Sequence, residues 1–248
     1  MNFFTRPKKT APAKRTPKTH EAVIDTPQGR VTIKAKRNRR ARRMTLRIDA
    51  THDCAILVLP TYVALAEGLD FARSKADWLQ AKLAELPERL AFADGALLQV
   101  LGRSVTIRHE PGLGARVVEE NGNLRVGGDV ALLRGRVLRW LKAEARRAIV
   151  VLAAERAGAI GKKHKRVTLR DSRSRWGSCS SDGSLSFCWR LVFAPPAVLD
   201  YVVSHEVAHL VEMNHGPRFW QVVEELTPHR EAARRWLAEN GAALQRQG

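Results

Sequence analysis

Short runs in which apolar and polar residues alternate dominate the first part of the chain. Val31-Thr-Ile and Met44-Thr-Leu-Arg-Ile have a period of two, which predicts strands with one buried face, and residues 22–25 and 55–59 add two more. A turn is expected at residues 27–29. Over residues 63–86 the period changes: Leu65, Leu69, Ala72, Ala76, Leu79 and Leu83 recur at helical spacing and predict one amphipathic helix stopped by Pro87. Strand patterns return at residues 97–101, 104–109, 116–119 and 124–126, separated by turn signals rich in Pro, Gly and Asn. A long helix is predicted over residues 132–157, with Leu133, Val137, Trp140, Leu141 and Ala145 on one stripe and Gly158 and Gly161 closing it.

Residues 167–169 read as a further strand, and the segments starting at Trp176 and Leu185 as a hairpin turning at Asp182-Gly183. Pro195-Pro196 then ends the extended chain, with Pro196 suited to the first turn of a helix over residues 197–210. Two amphipathic helices follow, one starting near Pro217 with Phe219, Trp220, Val223 and Leu226 inward, one over residues 231–239. No repeat of solenoid period is present. The pattern predicts an α+β protein. A mostly antiparallel β-rich region with one helix, residues 21–130, precedes a helical domain with a small β-hairpin sheet, residues 131–248.

Composition adds to this picture at the N-terminus. The chain has 248 residues, 44% hydrophobic and 27% charged, which is globular rather than disordered composition. Residues 1–20 differ: they mix Lys, Arg, Thr, Pro and Ala without apolar period and are expected to form a disordered basic tail. The net charge is +18, and residues 1–43, with 14 Lys+Arg against 2 Asp+Glu, account for +12 of it. Seven basic side chains fall within residues 34–43. No apolar run approaches the ~20 residues that span a bilayer, and no secretory signal opens the sequence. Three cysteines without a C-x-x-C imply neither a disulfide framework nor an all-cysteine zinc site. A cytoplasmic location fits this usage best.

The chemistry lies in the helix over residues 197–210, which contains His205-Glu206-Val207-Ala208-His209. Four residues of about 100° each return His209 to within ~40° of His205, so both imidazoles can converge on one metal ion. Glu206, beside the pair, can reach a water on that metal without ligating it, as a general base must. A catalytic zinc needs a third protein ligand, and His215 is the candidate. Six further residues of helix would carry His215 roughly 240° round, to the wrong side. The helix must therefore end between Leu210 and Asn214, and Asn214, His215, Gly216 and Pro217 are a plausible means of ending it.

Several blocks together resemble one family. They are Ser174-Arg-Trp-Gly-Ser-Cys-Ser-Ser-Asp-Gly, Trp189-Arg-Leu-Val-Phe-Ala-Pro, the stretch from Asp200 through His205, His209 and His215, Arg218-Phe-Trp, and the basic block from Arg39 to Arg47. The chain is similar in these to the YgjP-like metallopeptidases, metal-dependent hydrolases related to the SprT-like group within the zincins. The resemblance implies a zincin-like domain holding one zinc ion per chain on His205, His209 and His215, with Glu206 catalytic. The histidine spacing is also that of the metzincins, but Glu212 stands where they have Gly, and no Met-turn is identifiable.

Around this motif, Arg175 is a candidate for stabilising a developing oxyanion, with Arg173 and Arg190 as weaker ones. Asp200 and Glu212 are candidates for orienting a ligand histidine. Trp176, Trp189 and Trp220 are expected in the core, and Cys179 and Cys188 as buried thiols. The expected function is a zinc hydrolase acting on polypeptide. Two other readings stay open: a metal-dependent nucleotide phosphohydrolase, with the arginines on phosphate oxygens, and a nucleic-acid-binding protein using the basic N-terminal segment.

Overall fold

The computed structural model describes residues 19–26, 29–172 and 175–248, so most of the expected basic tail and Arg173 lie outside the described residues. The chain forms two compact units, Met1–Glu85 and Leu86–Gly248.

In the first unit, β1 (Thr19–Thr26), β2 (Gly29–Arg37), β3 (Thr45–Asp49) and β4 (Cys54–Leu59) make a sheet of order β1-β2-β4-β3. Its outer pairs are antiparallel, but β2 and β4 are parallel. The alternation reads directly as burial: Val31, Ile33 and Ala35 point into a core with Ile24, Leu57 and Leu59, while Thr32, Lys34 and Lys36 lie on the other face. The basic run is solvated, with Arg37, Arg39, Arg40, Arg42 and Arg43 all exposed.

The helical pattern over residues 63–86 is divided in two, α1 (Leu65–Arg73) and α2 (Ala76–Ala84). Ser74 Oγ donates back to the Phe71 carbonyl at 2.8 Å and the Lys75 N–H to the Ala72 carbonyl, so the turn tightens there. Both halves keep their apolar side on the sheet, and so the periodicity survives the break. Gly68 lets α1 lie close: a Cβ there would stand 2.5 Å from Leu59 Cδ2 and 3.1 Å from Leu57 Cδ2.

The second unit starts with a sheet of the same connectivity, β5 (Leu97–Val100), β6 (Arg103–Glu110), β7 (Val117–Glu120) and β8 (Asn123–Gly127) in order β5-β6-β8-β7, again with a parallel central pair. Then comes α3 (Leu133–Ala159), buried at Leu133, Val137, Leu141, Ala145, Ile149, Ala153 and Ala157. A spacing of four turns the stripe by ~40° per step. The helix accordingly touches β7 and β8 as well as the later elements, and one core runs through all of them. This is why the compact units divide after Glu85, whereas the sequence pattern suggested a change near residue 130.

A three-stranded sheet follows, β9 (Arg166–Arg170), β10 (Gly177–Cys179) and β11 (Ser184–Cys188), in order β10-β11-β9. The β10–β11 hairpin turns where expected: Asp182 accepts from the Ser184 N–H and from the Ser180 hydroxyl, and Gly183 has φ +77°. β9 pairs with β11 in parallel, so all three sheets are mixed, and in both four-stranded sheets the antiparallel pairs predominate as expected. Periodicity of one strand does not encode the direction of its neighbour. A 3-10 turn, Trp189–Phe193, leads to α4 (Pro196–Ala208), α5 (Pro217–Leu226) and α6 (Arg230–Gln245).

Replacing Gly68 with Ala overpacks the first unit against Leu59 and is expected to cost about 1–3 kcal/mol. Denaturant unfolding of the full chain followed by far-UV circular dichroism, parent against variant, checks this.

Candidate metal centre

α4 is apolar on nearly every face, with Val198, Leu199, Val202, Val203, Val207 and Ala208 buried, so its few polar side chains are held in place by their surroundings. It stops at Ala208, and a tight turn carries the chain on, with Val211 and Glu212 both donating to the Ala208 carbonyl. Asn214 N–H donates to Glu212 Oε1 at 3.2 Å, and Gly216 N–H to the Asn214 carbonyl at 2.8 Å, just before α5. This return brings His215 back beside the two helix histidines. One ligand atom from each of His205, His209 and His215 lies within 4.8 Å of the others, and this is the group among the described residues that could hold a metal ion.

The donor set suits a divalent metal. His205 Nε2 and His215 Nε2 are 3.2 Å apart, close to the ~3.3 Å edge of a tetrahedron with arms of ~2.0–2.1 Å. His209 Nδ1 lies 3.0 Å from the Glu212 carbonyl, which fixes Nδ1 as the protonated nitrogen and leaves Nε2 free to ligate. Burial, with smaller contributions from the other two histidines and Arg234, lowers the His205 pKa to about 4, and burial lowers that of His209. Both rings are thus neutral, as ligands must be, at physiological pH.

The Phe219 ring, fully buried on α5, stands 5.0, 4.5 and 4.6 Å from the rings of His205, His209 and His215, and forms their common floor. Trp220 stacks on His215 at 5.8 Å, and the Arg230 guanidinium lies over the Trp220 ring at 4.0 Å.

Glu206 points toward β10. Burial raises its pKa to about 7 against the opposing Arg175 charge and the Cys179 backbone N–H, which donates to its carboxylate. The approach requires glycine at Gly177: a Cβ there would meet Glu206 Cγ and Oε1 at 2.5 Å. A cavity of about 500 Å³ opens on His205 and Glu206, with Arg175, Trp176, Tyr201 and Arg234 in its wall.

Arg175 is therefore brought to the histidines and Glu206. Asp200 is not: Arg156 Nε at 2.8 Å takes one carboxylate oxygen and the Thr227 hydroxyl the other, which ties α3, α4 and the end of α5 together. Glu212 does meet a histidine, through its main-chain carbonyl rather than its carboxylate. Arg190 is buried elsewhere, paired with Asp171 and lying on the Trp189 ring. Trp189 and Cys188 are core residues as expected, whereas Trp176, Trp220 and Cys179 are half-buried. Sequence reasoning passed over Tyr201, although its place four residues before His205 puts it on the same helix face. It also passed over Gly177 and read Phe219 only as core, because nothing local marks either.

Residues 42–240 match the YgjP-like, metallopeptidase domain family, and the chain belongs to that family. That family is one of metallopeptidases, and the chain carries a group of three histidines that could hold a metal ion. Among solved structures, the crystal structure of the metallopeptidase zymogen of Pyrococcus abyssi abylysin is similar over 37% of this chain and 93% of its own, at 20% identity and a TM-score of 0.34. No curated protein sequence matches significantly. No helix of the described residues is long and apolar enough to cross a membrane.

In chelator-treated protein, Glu206 with its raised pKa disfavours the fold as pH rises from about 4.5 to about 7, since the unfolded chain ionises first. Glu206→Gln removes that burden. Its melting temperature is expected to exceed that of the parent by a few degrees at pH 8, and the gap to close toward pH 4. Differential scanning calorimetry across that range checks the sign.

Proposed function

We propose that the protein is a zinc-dependent peptidase, with His205, His209 and His215 holding the ion and Glu206 acting as general base. The convergence of three imidazoles within 4.8 Å, beside a buried carboxylate facing a cavity, carries this reading. Zinc, when bound, supplies Lewis acidity, polarising a carbonyl and lowering the pKa of water to about 7.

The residues divide the remaining work. A carboxylate oxygen of Glu206 takes the proton of the attacking water and returns it to the leaving amine nitrogen, and a pKa near neutrality suits both transfers. Arg175, in the wall of the same cavity, faces the charge that develops on the carbonyl oxygen. Among the described residues β10 pairs only with β11, which leaves its other edge for an extended peptide, whose backbone can add to it as a further strand. The Cys179 N–H and the absent side chain of Gly177 set the distance between that strand and the base. Phe219 excludes water beneath the three rings.

Glu206→Gln is expected to keep stoichiometric zinc and lose at least ~100-fold in turnover of denatured casein, whereas His209→Ala loses the metal. Metal analysis and a casein assay on the same preparations check both. Full activity in folded Glu206→Gln overturns the assignment, as does hydrolysis of nucleoside triphosphates, offered in parallel, without peptide cleavage.

Gly177→Ala pushes Glu206 out of place and is expected to lower kcat with zinc content unchanged. Steady-state kinetics with metal analysis reads the two effects separately.

A further inference from the structure

The three-stranded sheet has one face in the core and one that is open. Val167, Leu185 and Phe187 are buried on the inner side. On the other, the register places Arg166 beside Ser184 and Thr168 beside Ser186, with Ser178 of β10 next to Ser186 and Arg170 at the end of β9. This face lines a cavity of about 440 Å³ whose wall includes Arg166, Arg170 and Arg175 and, among the described residues, no carboxylate. Arg170 Nε donates to Ser186 Oγ at 3.0 Å, and neither Arg166 nor Arg170 forms an ion pair with a described residue. Elsewhere in this unit the arginines are commonly matched to acids, as in Arg103 with Glu119 and Glu144, Arg125 with Glu110, and Arg156 with Asp200. Two guanidiniums, Arg166 and Arg170, without an acidic partner among the described residues and set among hydroxyl donors, form a surface complementary to anionic oxygens, with Arg175 between it and Glu206.

Its position decides what brings those oxygens. Arg175, Trp176 and Gly177 line both this cavity and the one that opens on His205 and Glu206. A polypeptide held at Glu206 therefore passes Gly177 directly onto the guanidinium face. A groove for single-stranded nucleic acid would pair its positive charge with aromatic platforms for the bases. Here Phe187 is turned into the core, and among the described residues of the wall only Trp176, at the shared rim, offers a ring.

We propose that the open face of β9–β11 is a substrate subsite for an acidic stretch of polypeptide, flanking the bond cleaved at the metal centre. Arg166 and Arg170 are its specificity-determining residues. The proposal rests on the peptidase reading, but it can fail separately from it.

The test is a panel of quenched fluorescent peptides with one cleavable core and a flank of Asp/Glu, Ser/Gln or Lys on either side. The acidic flank is expected to raise kcat/KM about tenfold through KM, an effect that shrinks as salt is added. Arg166→Ser/Arg170→Ser removes the preference and leaves turnover of the neutral peptide unchanged, which also reports that the variant is folded. A second variant, Arg170→Glu, shifts preference toward the Lys flank. Cleavage without charge preference overturns the subsite and leaves the peptidase reading intact. Fluorescence anisotropy of the acidic peptide needs no turnover: arginine-dependent binding without cleavage supports the subsite and retires the peptidase reading. Tighter arginine-dependent binding of oligothymidylate than of the acidic peptide overturns the assignment in favour of nucleic acid.

Discussion

The end of α4 is the constraint on which the site depends. Two histidines one turn apart come together on any helix, but the third reaches them only because the helix stops at Ala208 and the chain doubles back before Pro217. The doubled carbonyl of Ala208, the Glu212 carboxylate on the Asn214 N–H and the Asn214 carbonyl on the Gly216 N–H absorb the main-chain groups freed by that stop. The Glu212 carbonyl is left pointing at His209 Nδ1, so the turn that ends the helix also sets a ring's tautomer.

Surrounding structure holds this arrangement from two sides. From the hairpin side, β10 comes near enough to Glu206 that only glycine fits at residue 177, and this proximity removes the carboxylate from water. From the α5 side, Phe219 supports all three rings. The Arg156–Asp200–Thr227 network fixes α4 against α3 at a distance from the histidines, which leaves the polar group at that position structural. The chemistry thus uses few residues, while the long helix α3 and the core around α4 determine where those residues stand.

Much of the fold could be read from the sequence because it depends on local periodicity. Period-two runs became strands, the H-E-x-x-H stretch became a helix, and Asp182-Gly183 became the hairpin turn. What escaped depends on information that is not local. The break at Ser74-Lys75 preserves the apolar stripe and so leaves no mark in it. The parallel pairings of β2 with β4 and β6 with β8 follow from which strands meet, not from their composition. At the candidate site, the convergence of His205, His209 and His215 was legible from spacing, whereas Gly177 and Phe219 act through neighbours about thirty or fewer residues away in sequence that only the folded chain brings near. Asp200 shows the converse, a residue of the right type at the right helix whose oxygens are already engaged.

Phe219 belongs to two systems at once: it is a fully buried member of the main core and the shared floor of three imidazoles. Local opening of α5 would therefore release the rings and the core contact in a single event. Retention of a bound ion and cohesion of this part of the core become the same quantity seen by two methods. Under the proposed reading, an ion held by the three histidines would be only as durable as the packing of one helix.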